Sequence, residues 1–318
     1  MRMSKYLMVL TASAAVALGS AATAQAATIQ FNPAGTGATG ALTIDVLDPG
    51  PGNSLSQNLN ATSAAGSVGT LLFQANLDSA QLGGSNVFSN GAGGHFFTFA
   101  ATFGETVTSN TAGPGSQTLV FGPTAGATNG TFDIYAQTAL GNNLAGTGFT
   151  NTGGTNAPIL TGTLLNNANF FGNFTADTNP AAVGPLAQGA VAGEYPGINT
   201  VSGAGGFHAQ IQITSVNTGY FPGLTTGSVL IFATTDQNLP FVTVDPSACF
   251  SSNASTTVCT PGAGGAAVGT LNGTGTSTML QTDANLSFTP VPEPATLSLL
   301  GLGLLAGAGQ IRKRFARK

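Results

Sequence analysis

Few residues between positions 27 and 290 could perform chemistry, and they are widely spaced. The only histidines there are His95 and His208. A serine-type hydrolase needs a histidine beside a carboxylate and a nucleophile, yet the chain has no G-x-S-x-G or H-E-x-x-H motif. His95 begins one predicted strand and His208 lies on the polar face of another, so both are interpreted as ordinary histidines. The sequence predicts no catalytic residue, and we expect the protein not to be an enzyme.

Two other patterns could bind a ligand. Residues 35–40 match G-x-G-x-x-G, but a dinucleotide site needs a preceding strand and a following helix, and here a predicted strand follows, ALTIDV. Asp45 and Asp48 with Asn53 could offer oxygen ligands to Ca²⁺. Their spacing lacks the dense alternation of an EF-hand, so a turn with solvated carboxylates is favoured. We therefore predict no cofactor and no metal site, with Ca²⁺ as the open alternative.

Both cysteines of the chain, Cys249 and Cys259, lie in one short segment, CFSSNASTTVC. Two neighbouring cysteines in an exported chain usually pair, and a loop this short adds about 3 kcal/mol on the chain-entropy description. A zinc site would need more ligands than two thiols without a nearby His or a third Cys. The sequence thus predicts a disulfide between Cys249 and Cys259.

The charged residues are few and unevenly placed. They make up 6% of the chain, against about 25% in a typical soluble domain. The seven basic residues all lie at the two ends: Arg2, Lys5, Arg312, Lys313, Arg314, Arg317 and Lys318. Ten of the eleven carboxylates lie within residues 27–290, so this stretch has a net charge of −10 with histidine neutral. Binding of nucleic acid requires Lys or Arg opposite the phosphates, so a nucleic-acid partner is excluded.

The N-terminus has the layout of a secretory signal peptide. Two basic residues precede a short apolar core over residues 6–18, and the segment from Ala24 to Ala26 forms an A-x-A cleavage signature. We expect cleavage after Ala26, so that residues 1–26 are removed and the mature chain begins at Ala27. An uncleaved N-terminal anchor is the alternative, although the apolar core is short for a membrane span.

The C-terminus has an apolar stretch followed by a basic tail. Residues 295–311 are uncharged and mostly Leu, Ala and Gly. As a helix they would span about 25 Å, near the lower limit for crossing a membrane. The basic tail consists of Arg312, Lys313, Arg314, Arg317 and Lys318. Basic residues remain cytoplasmic, so we predict a short transmembrane helix that anchors the protein transiently in the inner membrane, with the body outside.

A short motif directly precedes this stretch: Val291, Pro292, Glu293 and Pro294. Motif, apolar stretch and basic tail together resemble the PEP-CTERM sorting signal of Gram-negative, exopolysaccharide-producing bacteria. The resemblance implies recognition by an exosortase, an integral-membrane cysteine transpeptidase that processes the protein near the motif and releases the body toward the cell surface. The two prolines keep the backbone extended and open to an enzyme. Residues 291–318 are therefore assigned as the signal, with a plain membrane anchor as the alternative.

The body, residues 27–290, alternates apolar and polar residues with the period of two that half-buried strands have. The inward positions of this pattern are Leu42, Ile44, Val46, Leu71, Phe73, Ala75, Leu77, Phe97, Phe99, Ala101, Phe103, Phe132, Ile134, Ala136, Phe207, Ala209, Ile211, Ile213, Leu286 and Phe288. We predict an all-β fold, a large antiparallel β-sandwich with long Gly/Asn/Thr-rich loops. Residues 138–205 are expected to form a loop-rich insertion.

Four segments of the body also resemble a narrower group, the flocculation-associated PEP-CTERM proteins. These segments are HFFTFAATFGE (95–105), FDIYAQTALGNNLAGTGF (132–149), ILTGT with NFFGNFT (159–175) and GYFPG (219–223). The resemblance implies a role in holding cells together within secreted polysaccharide. The group has no established catalytic residues to carry over.

The favoured function is therefore that of a noncatalytic surface or extracellular-matrix protein, with an exosortase and extracellular polysaccharide as partners. The first alternative is a lectin-like carbohydrate-binding module. Such modules usually present exposed aromatic rings, often Trp, and this chain has no Trp; Tyr135, Tyr195 and Tyr220 could serve instead. A secreted hydrolase is the third interpretation, and the absence of its motifs disfavours it.

Overall fold

The computed structural model describes residues 27–124, 130–143, 145–149, 157–165, 170–177, 184–186, 198–239, 241–242, 249–250, 258–259 and 268–289. The predicted signal helix and the predicted transmembrane helix lie outside these ranges. Within them, all regular structure is β except for one 3₁₀ turn, Ala92–Gly94. No helix among the described residues is long and apolar enough to cross a membrane.

The strands follow one another along the chain with short turns between many of them. The first nine are β1 (Ile29–Phe31), β2 (Leu42–Ile44), β3 (Val46–Pro49), β4 (Gly52–Gln57), β5 (Val68–Leu82), β6 (Ser85–Ser89), β7 (Phe96–Gly113), β8 (Ser116–Pro123) and β9 (Thr131–Gln137). The others are β10 (Leu160–Leu164), β11 (Phe171–Asp177), β12 (Gly184–Pro185), β13 (Asn199–Thr200), β14 (Gly203–Val216), β15 (Val229–Leu239), β16 (Cys249–Phe250), β17 (Val258–Cys259), β18 (Leu271–Asn272) and β19 (Thr278–Thr289).

Twelve of these strands form one antiparallel sheet, in which eleven close into a ring and β6 pairs with β5. Five long strands, β5, β7, β14, β15 and β19, each fill one position. Three further positions are each filled by two shorter strands: β3 and β4 lie between β19 and β5, β9 and β8 lie beside β7, and β10 and β11 lie beside β14. Because β9 pairs with β10 and β8 with β11, the ring is complete.

This closed sheet corrects two of our expectations. The strands are antiparallel as predicted, but a sandwich has two stacked sheets, whereas here one continuous ladder surrounds the core. Residues 138–205 are also more than a loop-rich insertion, because they contain β10 and β11. These two strands fill the position between β14 on one side and β9 and β8 on the other. Closure protects the strand edges from pairing with other chains. Many proteins use lysine for this purpose, but the body of this chain has none.

The inward face of the closed sheet is apolar, as the alternation predicted. Every predicted inward position on β5, β7, β14 and β19 is buried, and Leu42 and Ala136 are half-buried against the core. The prediction for Val46 is wrong, because on β3 the alternate residue Leu47 is in the core. Phe207 lies near the middle, with its ring centroid 4.9, 5.5 and 6.0 Å from those of Phe170, Phe103 and Phe232. Truncation of one such aromatic side chain typically costs about 3–5 kcal/mol, so these contacts contribute strongly to the stability of the closed sheet.

The hairpin of β1 and β2 packs against the core and is not part of the main sheet. Phe31 at the end of β1 contacts the rings of Phe88, Phe97 and Phe221, with centroids 5.8, 5.1 and 5.5 Å apart. The following turn contains Gly35, whose φ of 69° and close approach to the Tyr220 ring leave no room for a side chain. The N-terminal segment of the body is thus anchored to the core.

Part of the outer face is covered as well. Leu72 and Gln74 of β5 alternate with the inward residues, yet they are 6% and 0% exposed. Asn143, from the segment after β9, accepts a hydrogen bond from the Gln74 amide at 3.0 Å, and Phe250 packs in the same apolar cluster as Leu72. This part of β5 therefore has two buried faces, which the period-two pattern alone does not indicate.

Candidate functional site

The two predicted processing junctions meet at one end of the closed sheet. The backbone N–H of Ala27, the predicted first residue of the mature chain, donates a hydrogen bond to the Phe288 carbonyl at 2.9 Å. Strand β19 ends at Thr289, immediately before the sorting signal. Ala24 and Ala26, the motif residues 291–294 and the basic tail lie outside the described residues. The fold therefore positions the start of the body beside the point where the sorting signal begins.

The two cysteines lie at paired positions of two short strands. Cys249 of β16 is the register partner of Cys259 of β17, and the backbone N–H of Cys249 donates to the Asn143 carbonyl at 2.8 Å. Directly opposed residues of an antiparallel pair have Cα atoms about 4.5–5.5 Å apart, which is within the range that a disulfide spans. This register supports the disulfide, which stays a prediction.

The three residues considered for Ca²⁺ have separate hydrogen-bond partners. Asp45 accepts the backbone N–H of Gly83 at 2.8 Å, and Asp48 accepts the Gln81 amide at 2.7 Å. Asn53 is fully buried and accepts a hydrogen bond from Asn143 at 3.2 Å. Among the residues that the structure describes, no group of three or more His, Cys, Asp or Glu side chains could hold a metal ion.

A cluster of carboxylates does form on neighbouring strands, from Asp48 on β3, Asp78 on β5, Asp236 on β15 and Asp283 on β19. Burial raises the pKa of Asp48, and the charges of Asp283 and Asp78 raise it further. Burial also raises the pKa of Asp283, as do the charges of Asp236 and Asp78. The four carboxylates therefore repel one another, in a body that has no Lys or Arg to offset them.

Glu105 on β7 points into the core instead. It is 4% exposed and accepts a hydrogen bond from the Ser56 hydroxyl. It lines a cavity of about 30 Å³ together with apolar side chains that include Leu71, Phe174 and Phe207, and a cavity of this size can hold water. Burial raises the pKa of Glu105 to about 7, against the lowering effect of the Ser56 hydrogen bond. No other titratable side chain among the described residues lines this cavity.

The tyrosines proposed as sugar-binding rings are not displayed for that role. Tyr135 is 1% exposed and hydrogen-bonds Asp133, and its burial raises its pKa. Tyr220 packs edge-on against Phe97 with centroids 6.1 Å apart. Tyr195 lies outside the described residues. The lectin-like alternative therefore needs a different aromatic ring, and the structure provides one.

That ring belongs to Phe171, which is 53% exposed on the outer face of β11. It stacks on the imidazole of His208, its register partner on β14, with centroids 5.2 Å apart and planes inclined by 11°. The register continues from His208 to Ala233 on β15 and to Asn285 on β19. We call these four residues, Phe171, His208, Ala233 and Asn285, the Phe171 row. None of them is a Lys, Arg, Asp or Glu.

The alternation in the sequence places His208 on an outer face but does not single out Phe171. A signal was present, because Phe170 and Phe171 are adjacent and the residues of a strand alternate between its faces. Phe170 is 4% exposed, and its neighbour therefore points outward. His95 lies elsewhere, directly after the 3₁₀ turn. The two histidines of the body thus occupy separate places.

The comparisons with known proteins concern the C-terminal segment. The PEP-CTERM protein-sorting motif matches residues 290–314, which include the predicted Pro-Glu-Pro motif. Comparison with curated proteins and with solved structures found no match. The motif indicates an exported surface protein that crosses the inner membrane and is processed by an exosortase. The chain therefore carries a PEP-CTERM protein-sorting motif at its C-terminal end.

Proposed function

We propose that the body is a noncatalytic protein of the extracellular matrix that holds cells together within secreted polysaccharide. The observation that carries this proposal is the sorting signal at residues 290–314, which directs a closed, all-β body to the cell surface. The segments that resemble flocculation-associated proteins support the cohesive role. The scarcity of titratable side chains outside the acidic residues supports a binding rather than a catalytic task.

The charge of the body restricts how it can adhere. A net charge of −10 over residues 27–290 repels acidic polymers at low salt, although a Debye length of about 10 Å at 0.1 M salt screens much of this repulsion. Adhesion then depends on hydrogen bonds from Asn, Thr and Gly-rich surfaces and on neutral sugars. Divalent ions that bridge carboxylates are the second route to cohesion.

Gene deletion with complementation tests the proposal. We expect deletion to disperse cell aggregates while the amount of extracellular polysaccharide is unchanged. The full-length gene should restore aggregation, whereas a gene without residues 291–318 should restore it poorly because the body would bypass its sorting route. Aggregation is measured by sedimentation, and immunoblots of cell and medium fractions control for expression.

Two results would contradict separate parts of the proposal. Normal aggregation of the deletion strain would contradict the cohesive function. A Pro292→Ala/Glu293→Ala/Pro294→Ala variant that supports full aggregation removes only the requirement for sorting.

A further inference from the structure

Phe171 is a half-exposed aromatic side chain that the sheet and the His208 ring hold in place. Phe171 is 53% exposed, and it is fixed on both sides by ladder pairs, to β14 through residues 171–176 and to β8 through residues 172–177. Its stacking on His208 fixes the plane of the ring. The ring is therefore presented in one orientation, which reduces the conformational entropy lost when a flat ligand binds.

The neighbours of the ring leave it accessible. Ala233 is the register partner of His208 on the far side and has a small side chain. On β8, Gly122 follows the inward-facing Phe121 and has no side chain at all. Strands lie about 4.8 Å apart, so the Phe171 row extends over roughly 14 Å from β11 to β19. The result is a row of mostly small side chains that follows the curved outer face of the closed sheet and leaves the Phe171 ring open to solvent.

The surroundings of the Phe171 row are polar. They are uncharged beside Phe171, whereas the register partners Asp236 and Asp283 lie next to Ala233 and Asn285 at the other end. Asn173 and Thr175 are exposed on β11 beside Phe171, and the Thr175 hydroxyl hydrogen-bonds that of Thr118 at 3.0 Å. Asn285 ends the row on β19. Hydroxyl and amide groups can donate and accept hydrogen bonds, which matches the hydroxyl groups that surround a sugar ring. The apolar face of a sugar ring in turn fits a flat aromatic ring.

We propose that the Phe171 row is the contact site for a neutral polysaccharide, with a sugar ring stacked on Phe171. This inference rests on the proposed matrix function and names the class of polymer that the body binds. Charge selects the polymer: an acidic polysaccharide would meet a body of net charge −10 without a Lys or Arg, whereas a neutral one meets no repulsion.

Binding to fractionated polysaccharide tests the site. The probes are the neutral and acidic fractions of the producing strain's own extracellular polysaccharide, separated by anion exchange and cast into native gels. The processed protein, isolated from the strain, should be retarded by the neutral fraction. Phe171→Ser should weaken this binding at least tenfold, and Phe171→Tyr should retain it. Leu140→Ser is the matched control, because Leu140 is an equally exposed apolar residue (59%) away from the row.

The outcomes separate this inference from the proposed function. Phe171 is an outer-face residue, so the melting temperature of Phe171→Ser should equal that of the native protein. Native-like binding by folded Phe171→Ser, binding to the acidic fraction alone, or no binding to either fraction would overturn the site. A native dimer that Phe171→Ser dissociates, together with no sugar binding, would identify a second copy of the chain as the occupant. In each case the deletion strain still decides the matrix function independently.

Discussion

The carboxyl group of Glu105 is buried in a body that has no Lys or Arg to pair with it. Its only hydrogen-bond partner among the described residues is the Ser56 hydroxyl, and burial raises its pKa to about 7 from a usual value of 4.5. A group whose pKa is higher in the folded state binds its proton more tightly there, so protonation favours folding. Stability from this source is fully present below pH 4.5 and is lost as the pH rises through 7.

We therefore predict that the free energy of unfolding falls by about 3 kcal/mol as the pH rises from 4.5 to above 7, since each pKa unit corresponds to about 1.4 kcal/mol. Urea denaturation across this range measures it. Glu105→Gln keeps the size and polarity of the side chain without titrating, and should flatten most of the slope. The slope that remains reports Asp48 and Asp283, whose pKa values are also raised. Equal slopes in the two proteins would show that Glu105 does not titrate with folding.

The hairpin of β16 and β17 is the element where a covalent link is expected. Its register opposes Cys249 and Cys259, and Phe250 beside Cys249 packs into an apolar cluster with Leu55 and Leu72. We predict that thiol labelling of the unfolded, unreduced protein finds no free thiol. Reduction should lower the free energy of unfolding by about 3 kcal/mol through loop entropy. A Cys249→Ser/Cys259→Ser variant is the control, because reduction should leave its stability unchanged. Labelling of both cysteines would rule out the bridge.

At the scale of elements, the sequence predicts well which face of a strand is buried. It predicts poorly which other strands that strand pairs with. Phe207, Ala209, Ile211 and Ile213 follow a strict period of two, and the closed sheet buries all four. The closure itself depends on β10 and β11, whose short apolar patterns are interrupted by Gly and Asn. Pairing energy there comes from strands distant in sequence, and a local pattern contains no information about them.

The covered outer face was unpredictable for a related reason. The alternation predicts that Gln74 faces solvent, yet it is buried and its amide nitrogen donates a hydrogen bond to Asn143 from a distant segment. The Phe171 row was equally hidden, because its residues come from four strands that only the register brings together. The sorting signal was predictable because its parts are consecutive in sequence, and a linear motif needs no fold to be recognised.

For the whole molecule, the two processing junctions define the mature chain. We predict that the extracellular form begins at Ala27 and ends near the Pro-Glu-Pro motif, since the sorting signal indicates exosortase processing. Intact-mass analysis of protein from the medium and from the cell surface measures both ends. A mass from the Pro292→Ala/Glu293→Ala/Pro294→Ala variant serves as the unprocessed reference. A wild-type mass that still includes residues 312–318 would contradict the processing step.

The position of β19 in the ring also determines when the body can fold. This strand pairs with β15, β3 and β4 and accepts the hydrogen bond from Ala27, so its partners come from both halves of the chain. The ring has a gap until residues 278–289 arrive, and an exported chain that emerges N-terminus first delivers them last. A chain that lacks residues 278–289 therefore cannot close the ring. The fold of the body is complete only when the strand directly before the sorting signal is in place.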